Sequence, residues 1–181
     1  AHVDRVLELQ TRLGAKDEAA AVAEGARRGA VLACHDDSTA PQVATSAGHG
    51  VAVAEFPTTL EAAQACRDHG IAIIMGAPNL VRGGSHSGNV AAADLAERDM
   101  LDILSSDYVP AALLMSAVQL GEVWGDMARG MATVTANPAH HLGLQDRGEL
   151  AIGKRADIVR FAYSDGIAVA RHAWSRGVQV A

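Results

Sequence analysis

IAIIMGAPNLVRGGSHSGN, residues 71–89, sets an unbroken apolar run against a polar, glycine-rich segment. Ile71, Ala72, Ile73, Ile74 and Met75 carry no polar side chain, as a strand buried on both faces requires. From Gly76 to Asn89 the chain then offers two amides (Asn79, Asn89), a guanidinium (Arg82), an imidazole (His86) and the glycines Gly76, Gly83, Gly84 and Gly88. Glycine lets backbone N–H groups approach a ligand closely. Arg, His and Asn are the donors an oxyanion needs. Asn79, Arg82, His86 and Asn89 therefore read as a site for an anionic ligand, phosphate first. The plain alternative is a polar surface loop.

The same pattern recurs on both sides of this stretch. Apolar runs at 30–34, 50–54 and 101–104 end at His35-Asp36-Asp37-Ser38, Glu55-Phe56-Pro57 and Ser105-Ser106-Asp107-Tyr108. Helical patterns fall between them. One covers 41–47. Another covers 60–69, with Thr58 or Thr59 as cap, Glu61 in the first turn and Gly70 as the stop. Residues 91–100 read as helix or loop, 111–127 as a long helix, and a further helix begins near Met131. Upstream, 2–10 and 16–28 carry charge on one face and Ala, Val and Leu on another, which predicts two helices.

Strand, polar loop and helix in alternation define parallel βα units, and hence an α/β fold. In a (β/α)8 barrel the polar edge after the strands holds the active site. A whole barrel takes about 250 residues, so four units correspond to its second half. A doubly wound sheet is the rival, and there the same strand ends share a crevice. From Gly148 short β-type runs alternate with Gly turns, the pattern of a small β appendage. The expected division is 1–147 and 148–181.

Composition narrows the function. The chain has 181 residues, 49 % of them hydrophobic but only 3 % aromatic, with net charge −6. That supports a globular core of Ala, Val, Leu and Ile. It argues against a general nucleic-acid or membrane surface while permitting a local basic pocket. Cys34 and Cys66 form no CxxC pair, so buried thiols in a reducing, cytoplasmic setting are expected. The first residue is Ala1 rather than Met, and the expectation is a fragment or a processed chain.

ATVTANPAHHLGLQDRGELAIGKRADIVRF, residues 132–161, resembles the C-terminal signature of the amidohydrolase superfamily. CHDD, EFPTT, GAPNLVRGGSHSGN and SSDYVPAALL together look like its PhnM-type phosphonate-metabolism branch. The resemblance implies strands 5 to 8 of a (β/α)8 TIM-like barrel followed by part of a small β-sandwich. It also implies a metal-dependent hydrolase that converts ribose 1-methylphosphonate 5-triphosphate to the 5-phosphate and pyrophosphate. The implied cofactor is a divalent metal, zinc first.

On that resemblance His35 matches the strand-5 ligand and Asp107 the strand-8 ligand. Asp107 would also act as the catalytic proton acceptor. The strand-6 position holds Glu55 where the superfamily has His. Glu55 could ligate metal, orient His86 or sit in solvent. Asn79, Arg82, His86 and Asn89 would cradle the polyphosphate, with metal ligation a second role for His86. Asp36 or Asp37 would orient His35. No HxH motif occurs in the chain.

The alternatives are another amidohydrolase activity on a C–N bond, or an inactive truncated chain. In the bland readings His35 caps its strand and Asp107 caps the next helix. Cys34 and Cys66 pack, while His69, His140, His141 and His172 are structural. Open strand edges imply pairing with a second copy or with a separate N-terminal part.

Overall fold

Every strand of the first sheet runs past its apolar segment onto a polar residue or a glycine. The computed structural model describes residues 2–85 and 87–181. Its parallel strands are β1 (Ala33–His35), β2 (Val53–Glu55), β3 (Ala72–Gly76) and β4 (Ile103–Ser105). Relative to the apolar runs they are displaced towards their C-terminal ends. The cause lies in the backbone, because ladder hydrogen bonds do not depend on side-chain polarity. The amides of Asp36 and Phe56 each continue the ladder, donating to Glu55 O and Ile74 O at 3.0 Å. His35 and Glu55 thus become register partners on rigid strands.

The strand order is β1-β2-β3-β4, all parallel. A doubly wound sheet would reverse that order at a switch point, and here it never reverses. The sheet is the arc that half a (β/α)8 barrel supplies. Its helices are α1 (His2–Arg28), α2 (Ala40–Gly48), α3 (Leu60–Asp68), α4 (Ala77–Arg82), α5 (Ala92–Glu97), α6 (Ala112–Trp124), α7 (Met127–Ala132) and α8 (Ala136–His141). Thr39 and Thr59 cap α2 and α3, with Thr39 and Gln42 forming a reciprocal capping box. The core lies between strands and helices, around Ile73, Leu95, Leu120, Val43 and Val53.

Three expected elements change. The two N-terminal helices are one, α1, because nothing at 11–15 breaks the backbone. Gly14 weakens a helix interior but does not end it. No residue of α1 is buried, and Val6 and Leu7 are 49 % and 55 % exposed. The long helix expected at 111–127 stops at Trp124, where Gly125 turns left-handed at φ 63°. Asp126 then starts α7 by accepting from the Arg129 amide at 3.0 Å. Finally, the segment after β3 is not all loop. Pro78 opens α4 and Gly83 closes it at φ 78°, so Arg82 sits on a helix terminus.

The second sheet is antiparallel, in order β5-β6-β7 (Ile158–Ser164, Ile167–Ser175, Val178–Gln179). Asp165-Gly166 and Arg176-Gly177 have positive φ at both positions, as type I′ hairpins require. The Tyr163 hydroxyl donates to the Glu122 carboxylate of α6, tying this sheet to the barrel helices.

Candidate active site

The C-terminal ends of the four strands converge on a cleft of about 450 Å³. His35, Asn79, Arg82, Asn89 and Asp107 line it together with Phe56 and Tyr108. Of the expected site residues, Glu55 is not on this lining. His86 lies outside the described residues.

Three of the four strand ends, those of β1, β2 and β4, reach the cleft through an unusual backbone. Asp36, Phe56 and Asp107 are non-glycine residues at φ 61°, 56° and 47°. Such conformations are sparse for L-residues and cluster at functional sites. After β1, the turn brings the Asp36 carboxylate to 2.9 Å from His35 Nδ1. That contact commits Nδ1 and leaves Nε2 as the nitrogen open to a ligand or a proton. Asp37 turns away instead, accepting from the Ser46 hydroxyl at 3.0 Å. Of the two expected orienting acids, Asp36 makes the contact.

Asp107 follows β4. Its amide donates to Ser105 Oγ at 3.1 Å. Its carboxylate lies over Gly76, where a Cβ would meet Oδ2 at 3.2 Å. It does not cap the next helix, whose N-cap is Ala111 with no side-chain hydrogen bond. Gly76 therefore serves the site by what it lacks.

The phosphate-type donors divide. Asn79 Oδ1 accepts from the Ala92 amide at 2.9 Å, tethering α5, so that amide is half structural. Among the described residues no hydrogen bond or ion pair engages the Arg82 guanidinium, which is exposed at the end of α4. It remains available for an anion. Thr58 O accepts from the Val90 amide at 2.9 Å, fixing the far end of the loop beside Asn89.

Two free thiols sit on β1 and α3, Cys34 half-buried and Cys66 buried. Burial, reinforced by the Asp37 carboxylate, pushes Cys34 up to about 12, and burial pushes Cys66 up to about 11. Both stay protonated at neutral pH and serve packing.

The divalent metal that the resemblance implies would have to be held by these residues. His35 and Asp107 are carried by the two outer strands of the arc, and the Asp107 carboxylate reaches back over Gly76 at the end of β3. Between them stand Glu55, which misses the cleft, then Phe56 and Gly76, which carry no ligand atom. Among the described residues no group of three His, Cys, Asp or Glu side chains converges on a metal position. The residues present do not by themselves form a catalytic metal site, which takes three protein ligands.

An ordered parallel arc with its polar cleft at the C-terminal edge, followed by a small antiparallel sheet, has the fold of half an amidohydrolase-type barrel. Solved structures share it, among them the following two. An amidohydrolase from Thermotoga maritima MSB8 superposes with TM-score 0.65 at 21 % identity, over 83 % of this chain and 43 % of its own. A prolidase in complex with N-methylphosphonate-L-proline gives 0.63 at 18 % identity, over 88 % and 47 %. No family model matches the chain.

Sequence carries the relationship further. The chain is 51 % identical over 152 residues to α-D-ribose 1-methylphosphonate 5-triphosphate diphosphatase of Escherichia coli (strain K12). The alignment covers 82 % of this chain and 40 % of the relative.

Proposed function

We propose that this chain carries the polyphosphate-binding and proton-accepting half of a diphosphatase site. The substrate is ribose 1-methylphosphonate 5-triphosphate, and the products are the 5-phosphate and pyrophosphate. One observation supports this above all. The Arg82 guanidinium, unengaged among the described residues, and the Asp107 carboxylate share one cleft, within a chain 51 % identical to that diphosphatase.

In this reading Arg82, Asn89 and the Nδ2 of Asn79 hold the triphosphate. A planar guanidinium suits phosphate oxygens, and phosphoryl transfer depends chiefly on positioning and charge neutralisation. Water attacks phosphorus, its proton passes to Asp107, and the P–O bond to the pyrophosphate breaks. His35 Nε2 and Asp107 are the donors this chain would offer a divalent metal, zinc by resemblance. Such an ion lowers the pKa of bound water. No step is drawn through it, since two donors do not make the site.

Among the described residues no helix is long and apolar enough to cross a membrane. The free thiols suit a cytoplasmic setting. The outer strands β1 and β4 leave the arc open, which suits pairing with a second copy or with the other half of a barrel.

Arg82→Ala tests the assignment. It removes a charge-assisted contact worth about 1.5–3 kcal/mol. A loss of roughly tenfold to hundredfold in kcat/KM follows, with little change in fold stability. Asp107→Asn should abolish turnover while substrate still binds. An Arg82→Ala variant with unchanged kcat/KM would show the loop to be structural.

A further inference from the structure

Phe56 stands in the cleft at the strand end where a metal-ligating side chain was expected. Its φ of 56° is an outlier for a bulky residue. Pro57 follows it, and a residue before proline is pushed towards extended backbone. The conformation persists because its surroundings fix it from several sides. The Phe56 amide donates to Ile74 O at 3.0 Å, and Pro57 is fully buried. The Thr58 amide donates to Asp37 O at 2.9 Å, and the Thr59 hydroxyl donates to Ser38 O at 2.7 Å.

This turn aims an aromatic ring at two site groups. The Phe56 and His35 rings meet edge to face, with centroids 5.2 Å apart and an interplanar angle of 80°, inside the favoured range for aromatic pairs. On its other side Phe56 Cε1 lies 3.6 Å from the position a Cβ on Gly76 would take, beside the Asp107 carboxylate. Along the arc, Phe56 and Gly76 stand between His35 on β1 and Asp107 beyond β4.

We propose that Phe56 is a positioning residue. Its ring pins the His35 imidazole against Asp36, so that Nδ1 stays on the Asp36 carboxylate and Nε2 on the cleft side. It also fills the space through which imidazole and Asp107 carboxylate would otherwise pair. Strain at Phe56 is the structural cost of this placement, offset by the bonds around it. The catalytic consequence rests on the diphosphatase reading; the geometric role does not.

The test is NMR of the 181-residue chain with 13C/15N-labelled histidine, the His35 signals being assigned by His35→Gln. In the native chain the His35 ring signals should be displaced from random-coil positions by the Phe56 ring current. They should also report a single Nδ1–H tautomer. Nuclear Overhauser contacts should join the Phe56 ring to His35 and to Gly76 Hα. Phe56→Leu should lose the displacement and mix the tautomers, and Phe56→Tyr should restore both.

In the diphosphatase assay Phe56→Leu should lower kcat roughly tenfold to hundredfold with KM little changed, as expected for misplaced rather than missing groups. A Leu variant that keeps the native His35 signals overturns the proposal. So does a native chain lacking the Phe56–His35 contacts, a measurement that stands even if the Leu variant fails to fold. Absence of turnover in the 181-residue chain is what half a site predicts, and the His35 signals decide the role of Phe56 independently of it.

Discussion

Asp102 has no part in the chemistry, yet replacing it should cost more stability than any change in the cleft. Its carboxylate receives Arg67 Nη1 at 2.9 Å and the Ile73 amide at 2.8 Å, and its own carbonyl accepts from Asn137 Nδ2 at 2.8 Å. One side chain therefore joins α3, β3 and β4 at the end of the sheet opposite the cleft. Asp102→Ala leaves the strand amide without its acceptor and a guanidinium, 31 % exposed, without its carboxylate. A hydrogen bond to a charged group contributes about 1.5–3 kcal/mol. Two are lost, but partial exposure and the remaining bond from Arg67 to Asp99 O reduce the sum. The expected cost is about 3 kcal/mol, which for a chain of this size lowers Tm by roughly 6–12 °C. Asp102→Asn keeps an acceptor for Ile73 and loses only the charge, so it should fall about midway. Circular dichroism at 222 nm, with urea titration alongside, measures both. An Asp102→Ala variant within about 0.5 kcal/mol of the native chain, the range of ordinary surface changes, would show that the clamp contributes nothing.

Gly76→Ala should spare the fold, because φ is −72° there, but push the Asp107 carboxylate by a few tenths of an ångström. A kcat loss of about tenfold is expected in the diphosphatase assay, and full activity would free Gly76 of its role. Gly130→Ala sets a Cβ 2.4 Å from Ala117 O and 2.5 Å from the Gly121 amide, backbone against backbone where α6 meets α7. The expected loss is about 3 kcal/mol, at the upper end for overpacking, and a native urea midpoint would refute the close approach. The thiols give a pH dependence. Unfolded cysteine ionises near about 8.5, whereas Cys34 and Cys66 hold their protons to about 12 and about 11. Above pH ~9 the unfolded chain binds fewer protons than the folded one, so stability falls progressively as pH rises through 11–12. Urea midpoints that stay flat from pH 8 to 11 would contradict the burial of both thiols.

The sheet was legible because burial on both faces leaves a coarse, repeated signal. The runs at 30–34, 50–54, 71–75 and 101–104 each mark a real strand. Their ends were not legible, since His35, Glu55 and Ser105 join the ladder through backbone bonds to which side-chain pattern is blind. Arg82 and Asp107 were visible as unusual chemistry after apolar runs. Phe56 was not, because an aromatic residue beside a strand reads as core until its backbone is seen to turn left-handed. The helix α4 was masked by the same glycines that made its surroundings look like loop. Pro78 at its start and Gly83 at its end were the available cues.

Where the resemblance and the geometry diverge, the arc itself explains why. Ligands drawn from strands 5, 6 and 8 meet only if each strand end turns a donor inward over a curved floor. Here β1 turns His35 inward and the loop after β4 turns Asp107 inward. β2 leaves Glu55 beneath the rim and advances Phe56, and β3 ends in a glycine that makes room for Asp107. The middle of the arc is therefore built for shape and its two edges for chemistry. Donors that complete a site between His35 and Asp107 must approach from across the cleft, opposite β2 and β3. That is the side a closed barrel fills with its other strands. The exposed apolar residues of α1 and the outer edges of β1 and β4, unpaired among the described residues, leave surface for such a closure.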